Sequence, residues 1–260
     1  MRKFLNIIFT LVFFLFFGIN SIAAEKTAKL LSPEWSFKGF FGKFDRSSLQ
    51  RGYQVYTEVC SSCHSMSYLS YRNLAEKGGP ECSVEQAKAI AANFEVTDGP
   101  NDDGEMFTRP GRPSDKFVSP YPNVQAAIAA NGGAYPPDMS VLVKARKGGA
   151  DYIYSLLLGY EDPPADMELD DGVYYNKYMY GNKIKMAKPL DDGLVEYSDG
   201  TIASEEQMAK DVVTFLAWAA EPHLEARHKI GFRAILYLII ITILVYFSMK
   251  KIWSRIESKV

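Results

Sequence analysis

The chain has 260 residues, of which 47% are hydrophobic, and its formal net charge at pH 7 is −2. This length allows a sizeable core, and one globular domain is the default expectation. Residues 25–230 contain 30 acidic and 22 basic residues, so this part carries about −8. Such a field argues against a nucleic-acid partner and suits a cationic soluble protein, although ordinary solubility charge explains it equally well.

The N-terminus has the pattern of a secretory signal. Arg2 and Lys3 precede an apolar stretch over residues 4–19, and small residues between 21 and 24 offer a cleavage site. This pattern predicts a signal peptide over residues 1–24, with a retained N-terminal anchor as the alternative.

A helix predicted over residues 48–59 leads into the sequence Cys-Ser-Ser-Cys-His. Two thiols three positions apart can each form a thioether to a haem vinyl group, and the histidine that follows can bring its imidazole to the iron. The motif therefore predicts one covalent haem c, held by Cys60 and Cys63 and ligated by His64. A zinc site or a disulfide-redox site is the alternative, but zinc needs about four ligands. The remaining cysteine and histidines are distant in sequence: Cys82, His223 and His228.

Helical signals continue along the exported part of the chain. Further helices are predicted over residues 83–93, 123–130, 142–147 and 151–158, three of which end at glycines. A last exported helix begins at a capping box of Ser204 with Gln207 and ends before Pro222. Its apolar residues share one face, which indicates core packing.

Two stretches are predicted to be irregular. Residues 97–123 are rich in glycine, proline and charge, which favours an insertion over the surface. Residues 161–200 are acidic and rich in tyrosine, with at most short strands near 194–197. The predicted fold is mainly α, with small helices around a haem and long surface loops.

The sixth haem ligand is sought among the methionines and the two distant histidines. Met66 is too close to His64 in sequence to reach the opposite haem face. Met186 lies in a loop, residues 181–190, that opens with glycine and ends near proline, and Met139 follows Pro-Pro-Asp. Spacing leaves Met186 and Met139 as the main candidates. A histidine–methionine pair raises the reduction potential and suits electron transfer.

The C-terminal region contains a second apolar run. About twenty residues, 230–249, are long enough to cross a bilayer, and basic residues follow in the tail 250–260. The positive-inside tendency predicts a cytoplasmic tail and an exported domain over residues 25–229.

Short segments along nearly the whole mature chain then become recognisable as an ordered set: 35–37, 42–45, 49–56, 60–66, 71–74, 91–94, 129–133, 136–140, 144–152, 157–160 and 181–190. Together they resemble the cytochrome c1 family in its bacterial form, the haem subunits of ubiquinol–cytochrome c reductases (cytochrome bc1 complexes). The resemblance implies a cytochrome c-like helical haem domain with one C-terminal transmembrane helix.

The resemblance also implies roles for individual residues. Met186 would be the sixth ligand, since the position of Met139 is usually leucine in the family. Arg146 would pair with a haem propionate, and Tyr152 would lie near the haem. Tyr180 replaces a common proline and Lys188 interrupts a proline-rich exit, which could shift the geometry of the loop but leaves the ligand in place.

The family's function is implied in the same way. Such a subunit accepts electrons from a Rieske iron–sulfur protein and passes them to a cytochrome c, beside cytochrome b in a dimeric complex of the bacterial inner membrane. It is part of an oxidoreductase but has no catalytic acid, base or nucleophile of its own. An anchored monohaem carrier and a haem subunit of a terminal oxidase remain as alternatives. Cys82 is expected to be a buried, inert thiol.

Overall fold

The computed structural model describes residues 28–257, and the predicted signal peptide lies outside them. The described part is mainly helical, as predicted. Its α-helices are α1 Arg46–Glu58, α2 Val84–Ala92, α3 Val124–Ala130, α4 Gly149–Leu158, α5 Glu205–Ala220 and α6 Leu224–Glu257. Short 3-10 helices occur at Cys60–Ser62, Tyr71–Ala75 and Tyr180–Asn182.

The core forms where α5 packs between α1 and α4. Helices α1 and α5 approach closely at Gly52 of α1, where an added Cβ would lie 2.1 Å from the carbonyl oxygen of Asp211 in α5. Glycine is therefore needed at this crossing. The apolar face predicted for α5 is buried, as expected for core packing, and includes Met208, Val212 and Phe215.

Most of the described helices begin directly after a residue whose side chain caps them. Ser83 and Asn123 accept hydrogen bonds from the backbone N–H groups at the third positions of α2 and α3. Ser204 likewise accepts from the N–H of Gln207, at 3.2 Å. The second half of that predicted capping box is absent, because the Gln207 side chain donates to Asp211 instead. The predicted N-cap at Ser204 is therefore confirmed, whereas the prediction of a reciprocal bond from Gln207 is wrong.

The helix predicted over residues 142–147 is wrong. This stretch is a series of turns, in which the N–H of Ala145 is shared between the carbonyls of Val141 and Leu142. The next two residues, Gly148 and Gly149, have φ of +92° and +56°, which reverses the chain before a helical ladder can grow.

The two stretches predicted to be irregular contain paired strands. Strands β1 Glu95–Asp98 and β2 Phe107–Pro110 form an antiparallel hairpin that begins two residues before the glycine- and proline-rich insertion and continues into it. Strands β3 Tyr174–Tyr175 and β4 Lys183–Ile184 pair farther along the chain, whereas residues 194–197 contain no strand. The insertion also sends Phe117 into the core, so it is more than a surface loop.

Helix α6 is long and apolar enough to cross a membrane and contains the predicted span 230–249. It begins at Leu224, directly after the break that Pro222 introduces. Near this start, the guanidinium of Arg46 donates two hydrogen bonds of 2.9 Å to the buried carboxylate of Glu225. Glu225 also accepts from the backbone N–H of Phe44, at 3.0 Å. The first turn of α6 is therefore bonded to the start of α1, at the end of that helix away from the haem motif.

Candidate haem site

The Cys-Ser-Ser-Cys-His motif continues directly from α1 as one tight turn. The N–H groups of Cys63 and His64 both donate to the carbonyl of Cys60, at 3.2 and 2.9 Å. The hydroxyl of Ser61 donates to the carbonyl of Thr57 in the last turn of α1, at 2.7 Å. The two thiols and the imidazole are thus gathered on one turn whose position is set by a core helix.

The imidazole of His64 is oriented by a backbone carbonyl. Its Nδ1 lies 2.8 Å from the carbonyl oxygen of Pro137. With the proton on Nδ1 the ring donates this bond, and Nε2 carries the lone pair that a metal requires. Burial lowers the pKa of His64, which favours the neutral, ligating form. Pro137 was not singled out in the sequence, because a backbone acceptor has no signature of its own.

The thiols do not have the electrostatics of a disulfide-redox site. Burial, with a smaller effect of nearby Cys63, raises the pKa of Cys60 to about 12. Reactive Cys-x-x-Cys sites depend on a lowered thiol pKa, which is the opposite trend. Within residues 28–257, no three histidine, cysteine, aspartate or glutamate side chains gather as a metal-ion site. The zinc alternative therefore lacks a ligand set in this part of the chain.

Asp138 holds the segment after the motif in place. Its carboxylate accepts from the hydroxyls of Ser65 and Ser67 and from the N–H of Ser67, at 2.8 to 2.9 Å. It also accepts from the N–H of Ser140, at 2.8 Å. Burial acts to raise the pKa of Asp138, but these hydrogen bonds outweigh it and hold the pKa below its usual value. A Pro-Pro-Asp-x-Ser turn could have indicated this local bonding.

Met139 lies in the chain segment that contacts the motif at His64 and Ser65. Its N–H donates to the carbonyl of Ser65, at 2.8 Å, and its side chain is 7% exposed within the core. It follows Pro137, whose carbonyl contacts the His64 ring, and Asp138, whose carboxylate accepts a hydrogen bond from Ser65. Met66 is fully buried in the core as well. Both sulfurs are thus committed to packing beside the motif.

The loop that carries Met186 is held from two directions. The phenol of Tyr160, just after α4, donates to the carbonyl of Met186, at 3.0 Å. The ammonium of Lys185 donates to the carbonyl of Gly132, at 2.9 Å. Gly181 opens the loop with φ of +72°, a conformation that glycine adopts without strain. The Met186 side chain is half-buried.

A short chain of contacts leads from this loop to the motif. Asn131, next to Gly132, donates from its amide to the phenol oxygen of Tyr121, at 3.1 Å. The phenol of Tyr121 in turn lies 4.0 Å from the sulfur of Cys63. These contacts connect the Met186 loop with the motif through Gly132, Asn131 and Tyr121. Tyr121 and Asn131 were missed in the sequence, since neither belongs to a metal-ligand pattern.

Arg146 lies within the turns at 142–149, and Tyr152 lies near it in α4. Burial raises the pKa of Tyr152, and the nearby charge of Arg146 opposes this effect. The guanidinium of Arg146 is exposed and donates to the carbonyl of Ala145, and the phenol of Tyr152 contacts the sulfur of Met179 at 3.6 Å. These hydrogen bonds do not connect either residue to the motif.

Cys82 is half-buried against the core, and burial raises the pKa of its thiol. These properties agree with an inert thiol. The donor set on the motif turn, with Nδ1 of His64 engaged and Nε2 available, fits a covalent haem c.

Comparison with known proteins agrees with this fit. Residues 35–256 match the Cytochrome C1 family. A Bradyrhizobium diazoefficiens protein named cytochrome b/c1 is 51% identical over 251 residues, or 89% of this chain, which spans only 36% of that longer protein. The mitochondrial heme protein cytochrome c1 1 of Arabidopsis thaliana is 49% identical, covering 94% of this chain and 79% of the relative. Cytochrome c1 of Rhodospirillum rubrum is 45% identical, covering 90% of this chain and 91% of the relative. The chain therefore belongs to the cytochrome c1 family.

Proposed function

We propose that this chain is the haem-bearing electron-transfer subunit of a cytochrome b–c1 complex. The observation that carries the proposal is the turn at residues 60–64, where two thiols and an oriented imidazole meet. When bound there, a haem c supplies a one-electron iron centre. The names of the relatives, cytochrome b/c1 and a heme protein cytochrome c1, support the same assembly and cofactor.

We propose that Cys60 and Cys63 would hold the haem through thioether bonds and that His64 and Met186 would hold its iron. A second iron ligand would come from a different part of the chain than His64, whereas Met139 directly follows the segment that holds the His64 ring, and its N–H donates to Ser65. The Met186 loop reaches the motif by another route, through Gly132, Asn131 and Tyr121. This separation supports Met186 over Met139. Pro137 keeps the His64 ring in the orientation and tautomer that ligation needs.

Arg146 and Tyr152 are proposed to border the haem from the α4 side. In the described part of the chain Arg146 forms no ion pair, so its charge is available to a propionate. Tyr152 lies beside it and adds a phenol at the same edge.

The electron route follows from the family. The subunit would accept electrons from a Rieske iron–sulfur protein and donate them to a cytochrome c. Its acidic segments, at 98–105, 161–171 and 191–196, would attract a basic acceptor, and the effect should weaken with salt. The polypeptide contributes ligands, burial and docking surface, and quinol oxidation would belong to the cytochrome b and Rieske subunits.

A carrier that shuttles electrons on a flexible tether is the second function considered. The joint at α6 argues against it, because Glu225 is bonded to both Arg46 and Phe44. A domain bonded in this way to its membrane helix cannot swing far. A fixed position suits a subunit of a larger complex whose partners come to it.

The proposed topology has one membrane span, with the haem domain on the periplasmic side of a bacterial inner membrane. The basic residues after the apolar run support a cytoplasmic tail. The complexes of the family are dimers, and we propose the same here.

Purification of the tagged chain from native membranes in mild detergent tests the assignment. We expect co-purification with a b-type cytochrome and a Rieske protein, and a c-type haem that survives acid–acetone extraction. Extractable haem would refute the attachment through Cys60 and Cys63. A monohaem protein that purifies alone, with its haem retained, would favour the tethered carrier.

A further inference from the structure

A tight turn lies between the N-terminal segment and α1. The N–H of Lys43 donates to the carbonyl of Ser36, at 2.9 Å, and that of Gly42 donates to the carbonyl of Gly39, at 3.2 Å. A Cβ on Gly42 would lie 2.2 Å from the carbonyl oxygen of Phe37, so the chain closes here only with glycine. The base of the turn is thereby fixed, with Phe37 buried in the core.

The tip of this turn exposes two adjacent aromatic rings. Phe40 is 56% exposed and Phe41 is 73% exposed, and their ring centroids lie 4.9 Å apart. Phe37, three residues earlier, is 9% exposed. A rigid turn that displays paired phenylalanines is unfavourable in water and indicates a contact with an apolar environment.

The exposed pair lies beside the membrane helix. The ring of Phe41 lies 6.1 Å from that of Phe232 in α6. One turn earlier, Nδ1 of His228 lies 3.2 Å from the carbonyl oxygen of Gly42. Phe232 stands just before the uncharged stretch 234–249. The turn is therefore level with the point where α6 enters the hydrocarbon.

The position of the turn along α6 is fixed, and its surroundings are basic. The pair between Arg46 and Glu225 and the N–H of Phe44 secure the chain just after the turn. The exposed cations next to the contact residues in sequence are Lys43, Lys229 and Arg233. Aromatic rings flanked by cations are typical of protein surfaces at lipid headgroups.

We propose that residues 39–42 form a second membrane contact, in which Phe40 and Phe41 enter the interfacial region of the leaflet that α6 penetrates. The occupant of this surface is lipid, because the pair continues the exposed apolar surface of α6 at headgroup level. The haem domain is then attached to the bilayer at two points instead of one. A second point restricts the tilt of the domain about the start of α6.

Fluorescence quenching by lipid tests this contact in the full-length, haem-loaded chain. Phe41→Trp and, as a second variant, Phe40→Trp are reconstituted into vesicles of phosphatidylcholine and phosphatidylglycerol, with or without bromine on the acyl chains. The matched control is Ile202→Trp. Ile202 is 84% exposed and lies three residues before the start of α5, whereas α6 follows the other end of that helix. Subtraction of the parent chain removes the signal of its 3 native tryptophans.

We expect brominated lipid to remove about half of the emission of Trp at 41 or 40, as for a ring at the headgroup level, and little of the emission at 202. Equal, weak quenching at all three positions would overturn the proposal. The same measurement on the purified complex supplies the second arm. Quenching that persists there supports lipid, whereas quenching lost on assembly would assign the surface to a partner subunit and refute a lipid contact.

Discussion

Two carboxylates secure the two ends of the haem domain in different ways. Asp138, beside the haem motif, accepts hydrogen bonds from serine hydroxyls and backbone amides, and no cation within residues 28–257 pairs with it. Glu225, at the start of α6, accepts two bonds from the guanidinium of Arg46 and one from a backbone amide. One end is held by neutral donors and the other by an ion pair.

The difference follows the surroundings of each end. A lone charge near the bilayer is costly, so Glu225 is neutralised by Arg46. The charge of Asp138 stays uncompensated and reaches the neighbouring imidazole. Burial lowers the pKa of His64, and the hydrogen bond with Pro137 and, less strongly, the charge of Asp138 oppose that effect. The carboxylate beside the motif is therefore held by neutral donors alone, whereas the carboxylate at the start of α6 is neutralised by its partner.

The largest effect is expected from a substitution that changes only the haem end. Met186→Leu keeps the approximate volume and removes the proposed sulfur ligand. We expect loss of the weak far-red absorption band of ferric histidine–methionine haem and a fall in reduction potential, while the haem stays covalently bound.

Met139→Leu is the matched control and should leave both the spectrum and the potential nearly unchanged, because that side chain packs in the core. Loss of the band in Met139→Leu with retention in Met186→Leu would reverse the ligand assignment.

The second prediction breaks the membrane end. Glu225→Ala leaves the guanidinium of Arg46 unpaired and partly buried, which should lower the free energy of unfolding by about 2–3 kcal/mol. Denaturant unfolding of the full chain in detergent measures this loss.

Glu81→Ala removes another partner of the same guanidinium. That carboxylate is 41% exposed, so its loss should cost less than about 1 kcal/mol. Similar losses in the two variants would contradict the view that burial gives the Glu225 pair its strength.

Asp138→Asn tests the neutral donors at the haem end. The amide keeps one acceptor oxygen and loses the other, so we expect a smaller loss of about 1–2 kcal/mol in the free energy of unfolding. Because the Ser65 and Pro137 segments then loosen, a small shift in reduction potential should accompany it. An unchanged potential together with full stability would show that Asp138 does not position the motif.

The smallest expected effect is a dependence on pH. The folded-state pKa of Asp138 lies below its ordinary value of 3.8, so the carboxylate contributes stability that is fully present above about pH 3.8. This contribution is lost as the pH falls through the folded-state pKa. The difference in unfolding free energy between the parent chain and Asp138→Asn should therefore shrink on acidification. A difference that grows instead would contradict the sign of this shift.

Local signals in the sequence were sufficient for much of the fold. Caps such as Ser83, Asn123 and Ser204 act on backbone groups three residues away, so they mark helix starts correctly. The helix prediction for residues 142–147 is wrong because this stretch has too few helix-forming residues before two glycines with positive φ. The β1–β2 hairpin was also missed, because its glycines and prolines resemble those of an irregular loop.

The haem motif was readable because its chemistry lies within five consecutive residues. The groups that orient the motif could not be predicted from the sequence. Pro137 and Asp138 act from about seventy positions away, through a carbonyl and a carboxylate. Likewise the pair between Arg46 and Glu225 joins residues 179 positions apart. Such partners depend on how the elements pack, which a single sequence does not display.

The crossing of α1 and α5 at Gly52 has a consequence for the position of the haem motif. Helix α1 ends directly before the motif, so the position of residues 60–64 depends on how closely α1 packs against α5. A methyl group at position 52 would collide with the carbonyl of Asp211 and push the two helices apart. The hydrogen atom at that position thus works as a spacer: it lets α1, and with it the motif at residues 60–64, pack closely on α5.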